Sequence, residues 1–189
     1  PAATKVHRSF GARVGRVTQQ LDVRDATLEW LPQETIVFCG AHARLSTRVD
    51  LSGRGRFIGW EVLCLGRPAC GERFTRGSVH QDFSLWLHGR PLLIDRLRLH
   101  GDDPALESSW GFAGEPVLGT LLAYPADPLL LETARQACLN AGTAATLVDG
   151  VLLLRLRAGN GEAVRGEFER IWRGIRPAFA GLPERAPRI

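Results

Sequence analysis

Apolar runs of five to eight residues recur from Val14 to about Leu99, many of them alternating with polar positions. The runs are VTQQLDV, ATLEWL, ETIVF, RLSTRVDL, FIGWEVLCL, FSLWL and PLLIDRLRL, and the breaks between them are LSGRGR, LGRPACG and LHGRP. Period-two alternation bounded by Gly, Pro and Asp predicts strands. His88-Gly89, between FSLWL and PLLIDRL, predicts a tight hairpin. Two segments echo each other: LDVRDATLEWLP (21–32) and VDLSGRGRFIGWEVL (49–63). Each sets an Asp early in a strand and a Glu-Trp or Trp-Glu pair after a polar turn. Such spacing fits stacked strand layers, although two imperfect copies also arise by chance.

After the loop GDDPALESSWGFAGEP the texture changes. GTLLAY reads as a strand. DPLLLETARQACLNAG reads as a helix, with Asp127 at the N-cap, Pro128 at the first helical position and Gly142 as its stop. ATLV and VLLLRLR follow as strands, joined by Asp149-Gly150, a strong two-residue hairpin signal. A last helix is predicted from about Glu162 to Arg176, with Val164, Phe168, Ile171, Trp172 and Ile175 on one face and Pro177 ending it. The expected architecture is mainly β, an all-β part (1–100) with a β-α-β-β-α part (117–177) sharing one core, because the linker between them is short.

Hydrophobic residues at 44% and charged residues at 23% are ordinary for a globular protein of 189 residues. No apolar run approaches the roughly 20 residues a membrane helix needs, and the opening has no secretory signal pattern. Cys39, Cys64, Cys70 and Cys138 are few and irregularly spaced, which suits free thiols in a reducing compartment and sets cytoplasm as the expected location. The net charge of +4 comes from arginine, with Lys5 as the sole lysine. The arginines are scattered, with no dense cluster and no aromatic-basic motif, so a nucleic-acid role is a minor reading. Acidic partner proteins suit this charge at least as well. The chain contains no Met and opens on PAATK as though in mid-sequence. It therefore reads as the C-terminal portion of a longer protein that carries further N-terminal strands.

Three carboxylates stand out. In PLLIDRLRL, alternation puts Asp95 on the face of Leu93, Leu97 and Leu99, opposite Ile94, Arg96 and Arg98. A carboxylate facing inward must be paired, hydrated or protonated. An ion pair with one of the many arginines is the plain reading; a carboxylate lining a water-filled path is the functional one. Glu61 sits in FIGWEVLCLG, apolar on both faces, and shares a face with Leu63 and Leu65. Glu34, nearer a turn, is a weaker third case. Arg67 or Arg73 across the sheet would be the ordinary partners for these acids.

Cys39 and His42 form a C-x₂-H pair that invites a metal reading, yet a closed zinc site needs two more ligands. Burial of an ordinary free cysteine is the commoner explanation. LGRPACGERF is followed by no predicted helix, so it is not a phosphate-binding loop. Ser108, Ser109 and Thr35 lack a nucleophile context. Of five tryptophans, most are core by spacing, and Trp86 is the one placed to be exposed. These residues favour a binding or assembly protein over an enzyme.

Four blocks, in order, are similar to the family of the urease accessory protein UreD (UreH): PAATKVHRS, LEWLPQETIVF, WEVLCLGRPACGERF and GRPLLIDRLRL. The resemblance runs from the first residue to the closing PRI. It implies a β-helix-like stack of sheets with two helices and a non-enzymatic factor that sits on apo-urease. It further implies that UreF and the GTPase UreG are co-partners, that nickel insertion into urease is the task, and that Ni²⁺ is bound only transiently. The acidic positions of the family's W-(D/E)-x-L-C-x-G-R-P and L-L-(I/V)-(D/E)-R-L patterns fall on Glu61 and Asp95. With Thr4 of the opening block they are implied to line an interior nickel path. Family members often carry an acid at the position of Cys39. The alternative is a metal-binding protein or metalloenzyme using Cys39, His42 and the inward acids.

Overall fold

The computed structural model describes residues 2–11, 13–140 and 142–180. Within them the strands are β1 (Thr4–Val6), β2 (Gly15–Arg24), β3 (Thr27–Trp30), β4 (Thr35–Val37), β5 (His42–Ser52), β6 (Arg56–Leu65), β7 (Ser78–Leu87), β8 (Arg90–His100), β9 (Val117–Tyr124), β10 (Thr143–Val148) and β11 (Val151–Ala158). The helices are α1 (Pro128–Ala137) and α2 (Gly161–Ala180). One sheet runs β1-β4-β6-β9-β11-β10, with β3 also paired to β6; the other runs β2-β5-β7-β8.

Between β1 and β7 the chain winds back and forth between the two sheets. β1, β4 and β6 lie parallel in one, and β2, β5 and β7 lie parallel in the other. Each turn stacks on the one before, which is the β-helix-like arrangement. The internal echo is this stacking seen in sequence. Leu21, Asp22 and Val23 of β2 sit in register with Val49, Asp50 and Leu51 of β5. Leu28, Glu29 and Trp30 of β3 lie beside Phe57, Ile58 and Gly59 of β6, so the second pair, Trp60-Glu61, lies two positions beyond the partners of Glu29-Trp30. Antiparallel strands then complete both sheets. The β7–β8 turn has His88 and Gly89 at φ 50° and 76°, and the β10–β11 turn has Asp149 and Gly150 at 49° and 75°. Both central residues are left-handed, the turn whose twist matches a hairpin.

The helices cover the outer face of the larger sheet. Trp60, Val62, Leu121, Leu152 and Leu154 pack there against Phe168, Ile171, Trp172 and Ile175 of α2. This explains why β6 is apolar on both faces: one meets helices, the other meets the second sheet. β9 pairs with β6, so the C-terminal strands extend the same sheet. No helix among the described residues is long and apolar enough to cross a membrane.

Both helix ends differ from expectation. Asp127 caps α1 by accepting from the Leu130 amide at 2.8 Å, yet the helix stops at Ala137, short of Gly142. There Glu167 of α2 accepts the amides of Leu139 and Asn140 at 2.8 and 3.1 Å and draws the chain out of the helix. α2 in turn runs through Pro177 to Ala180. Phe179 is buried in the helix–sheet core, and its burial outweighs the hydrogen bond a proline cannot donate. The tryptophans also differ. Trp110, expected in the core, is 78% exposed, whereas Trp86 is partly covered by Arg48, whose guanidinium lies 4.1 Å from the ring centre.

Candidate functional site

The space between the sheets holds two separate apolar clusters. One contains Leu45, Leu63, Val79 and Leu99, the other Val49, Phe57, Phe83 and Leu122. Between them lies a polar layer, produced by one interruption in the inward alternation of each strand. In β2, Gln19 stands between Val17 and Leu21; in β5, Thr47 between Leu45 and Val49; in β7, Gln81 between Val79 and Phe83; in β8, Asp95 between Leu93 and Leu97. From the larger sheet, Glu61 of β6, Thr120 of β9 and Arg155 of β11 are direct register partners. Sequence reasoning found Glu61 and Asp95 but missed Gln19, Thr47, Gln81, Thr120 and Arg155. The alternation test that singled out Asp95 would have found them if applied to uncharged polar residues and to arginine.

Glu61 is the centre of this layer. Thr47 Oγ1 lies 2.5 Å from Glu61 Oε1, and Gln81 Nε2 donates to Glu61 Oε2 at 2.8 Å. Neither Arg67 nor Arg73 reaches Glu61: Arg67 pairs with Glu72 in its own loop, and Arg73 pairs with Glu107 in the loop that follows β8. Burial pushes the Glu61 carboxyl above its ordinary value, the Thr47 and Gln81 hydrogen bonds oppose that, and the charge of Asp95 adds to it. The proton count points the same way. Thr47 Oγ1 is also 3.0 Å from Gln19 Oε1, so one hydroxyl proton faces two acceptors. A protonated Glu61 donating to Thr47, which donates to Gln19, satisfies both contacts.

A cavity of about 40 Å³ reaches Glu61 from the edge of the sandwich. Gln19, Thr47, Glu61 and Gln81 line its inner part, and Thr4, Gln33 and Thr35 line its mouth. That volume holds one to a few waters. Thr4 is exposed in β1, beside Thr35. Thr4 and Glu61 therefore share one cavity. Asp95 does not line it. It faces inward as expected, within electrostatic reach of Glu61, but is tied to Arg155 at 2.5 Å, the ion pair of the plain reading. Glu34 points elsewhere, to Arg165 of α2 at 3.4 Å.

Cys39 and His42 do not build a common site. Cys39 Sγ contacts Thr75 Oγ1 at 3.5 Å, and His42 Nδ1 contacts Ser78 Oγ at 2.9 Å. Among the described residues no three His, Cys, Asp or Glu side chains converge as a metal centre requires. The thiols differ in reactivity. Partial burial opposes ionisation of Cys39, but hydrogen bonds from Thr75 and Arg76 outweigh it and lower its pKa. Burial, aided by the charge of Glu34, pushes Cys64 up to about 11. Brief iodoacetamide treatment at pH 7 is expected to alkylate Cys39 well before Cys64, read by peptide mass spectrometry. Equal labelling would show that the strand around Cys64 opens readily.

Comparison with known proteins covers the chain from end to end. The family model described as UreD urease accessory protein matches residues 1–189. The urease accessory protein UreD of Dechloromonas aromatica (strain RCB) is 42% identical over 196 residues, spanning 100% of this chain and 68% of that protein. The protein of the same name from Azoarcus sp. (strain BH72) is 45% identical over 193 residues, with 100% and 67% covered. That of Klebsiella aerogenes is 38% identical over 192 residues, with 100% and 69% covered.

Proposed function

The chain belongs to the UreD urease accessory protein family, and from that premise we propose that it matures urease by conducting nickel through the polar layer. The observation behind this reading is Glu61, a carboxyl set between two apolar clusters with a small polar cavity leading to it from Thr4. A carboxylate in that setting costs stability on the order of several kcal/mol unless a proton or a cation neutralises it. Neutral oxygen donors lie beside it: the Thr47 hydroxyl and, next to that hydroxyl, the side-chain carbonyl of Gln19, while Gln81 turns its amide N–H to the carboxyl. Oxygen ligands hold Ni²⁺ less tightly than imidazole or thiolate, which suits passage rather than storage.

In this mechanism Ni²⁺ is cargo. It enters past Thr4, sheds part of its water, and displaces the proton of Glu61, so uptake releases one proton. Asp95 lies further along the same layer, and its bond to Arg155 must loosen before it can take the ion. The chain itself performs no covalent chemistry. Apo-urease is the acceptor, UreF and the GTPase UreG are the co-partners, and the cytoplasm is the setting.

Co-expression of the cognate urease and its other accessory proteins, with and without this protein, tests the reading. Urease purified with it is expected to be nickel-loaded and active, and urease purified without it nickel-poor. Equal nickel in both preparations would overturn the accessory role. Nickel held stoichiometrically through gel filtration of this protein alone would instead favour a metal-binding protein.

A further inference from the structure

The loops 66–77 and 101–116 meet beyond the ends of β6, β8 and β9 and enclose a pocket of about 410 Å³. The size is that of a ligand or side-chain pocket rather than a packing defect. Its floor is apolar, built from Leu65 and Phe74, both buried, with Leu106 and Pro116. Its walls are acidic: Glu72, Asp102, Asp103, Glu107 and Glu115 stand against the single guanidinium of Arg73. On a chain of net charge +4 this is a local reversal of sign.

The walls are already fixed. A side chain on Gly101 would lie 2.2 Å from the Arg76 amide, so the two loops fit together only with glycine there. The Leu65 amide donates to the Pro116 carbonyl at 2.8 Å, and Arg73 bridges to Glu107. Three carboxylates are engaged within the walls: Glu72 with Arg67 and the Cys39 amide, Glu107 with Arg73, Asp103 with the Ala105 amide. The side-chain carboxylates of Asp102 and Glu115 make no hydrogen bond or ion pair among the described residues and remain open to a partner. The same loop holds Trp110 out in solvent, 78% exposed.

We infer that this pocket docks a protein segment that inserts an apolar side chain flanked by Lys or Arg. The apolar floor takes the side chain, and Asp102 and Glu115 meet the flanking charges. The pocket is not a cation site, because its carboxylates are spread over two walls and no three converge. Phosphate-bearing partners, whether nucleic acid or anionic membrane, are repelled by the same acids. A preformed pocket lowers the ordering cost of binding and suits a short linear segment. The inference concerns assembly and holds whether or not nickel travels through the polar layer.

Selection of random dodecapeptides on the intact protein, with depletion against a D102K/E115K variant, tests it. The expected result is a consensus with an apolar residue between basic ones, whose synthetic peptides bind wild type at least about tenfold tighter than the variant. Both substituted residues are exposed and unpaired, so the variant is expected to keep the wild-type melting temperature. Selected peptides should also lose affinity for the wild-type protein as salt rises from 50 to 500 mM, a readout that needs no variant. No depletion-sensitive consensus, a consensus without Lys or Arg, or binding indifferent to salt would overturn the inference.

Discussion

Glu61→Gln is expected to leave the fold intact and to cut nickel loading of co-expressed urease by about tenfold or more when nickel is limiting. Glutamine keeps the shape, accepts from Gln81 and donates to Thr47 as the protonated carboxyl does. It cannot become an anion, so it offers an arriving cation no charge. The variant separates the two roles of this residue, because packing survives and only the charge-bearing state is lost. Urease nickel content by metal analysis, at several nickel concentrations in the medium, is the readout. Unchanged loading at the lowest nickel level would remove Glu61 from the path while leaving the accessory role standing.

The same variant carries a pH signature of defined sign. Burial raises the folded-state pKa of Glu61 above the ordinary value of 4.5. Below that value both folded and unfolded chains hold the proton. As pH rises above it the unfolded chain ionises first, so the folded state binds more protons and loses stability with each further pH step. The loss ends once pH passes the raised folded value. Glutamine does not titrate. The melting temperature of Glu61→Gln relative to wild type should therefore climb from about pH 4.5 upward and then level off. A flat difference across this range would mean that Glu61 is already charged in the folded protein.

Glu167→Ala is expected to destabilise the protein by about 2–4 kcal/mol. The side chain is 5% exposed, pairs with Arg170, and accepts both backbone amides that end α1. Arg170 is 43% exposed, so the ion pair contributes little by itself. The larger part is the two amides left without an acceptor and the α1–α2 junction they hold. Urea unfolding measures it, and a loss under about 1 kcal/mol would show that the junction re-forms without the carboxylate. The sign with pH is opposite to that of Glu61. Burial alone would raise the carboxyl, but Arg170 and the Asn140 and Leu139 amides hold it below its ordinary value. Its contribution is present above pH 4.5 and is lost as pH falls through the lowered folded value.

Much of this fold is determined locally. Alternation placed the strands, including the inward face of Asp95, because a strand buried on one face admits only one register. The Asp127-Pro128 start of α1 and the two hairpins at His88-Gly89 and Asp149-Gly150 were legible because a cap or a left-handed turn depends on a few adjacent residues. The echo between 21–32 and 49–63 carried the stacking itself, since strands that lie in register on one another meet the same surroundings.

The ends of the helices were not local. α1 stops where Glu167, from a later helix, takes its amides, and α2 passes Pro177 because Phe179 has a core to enter. Trp110 was misplaced for the same reason: its loop is anchored elsewhere and presents the ring outward. The site was half legible. A lone acid in an apolar run is visible in sequence, because its burial cost has no local remedy. Its partners Thr47 and Gln81, and the Gln19 that Thr47 also meets, come from three other strands, and Arg155 lies 60 residues beyond the Asp95 it pairs with. Only the stacking of two sheets brings these groups within hydrogen-bond distance, and only that decides that Glu61 meets amides and a hydroxyl while Asp95 meets an arginine. Sequence fixed which groups must find partners; the tertiary structure chose the partners, because contact across sheets is set by register between strands far apart in the chain.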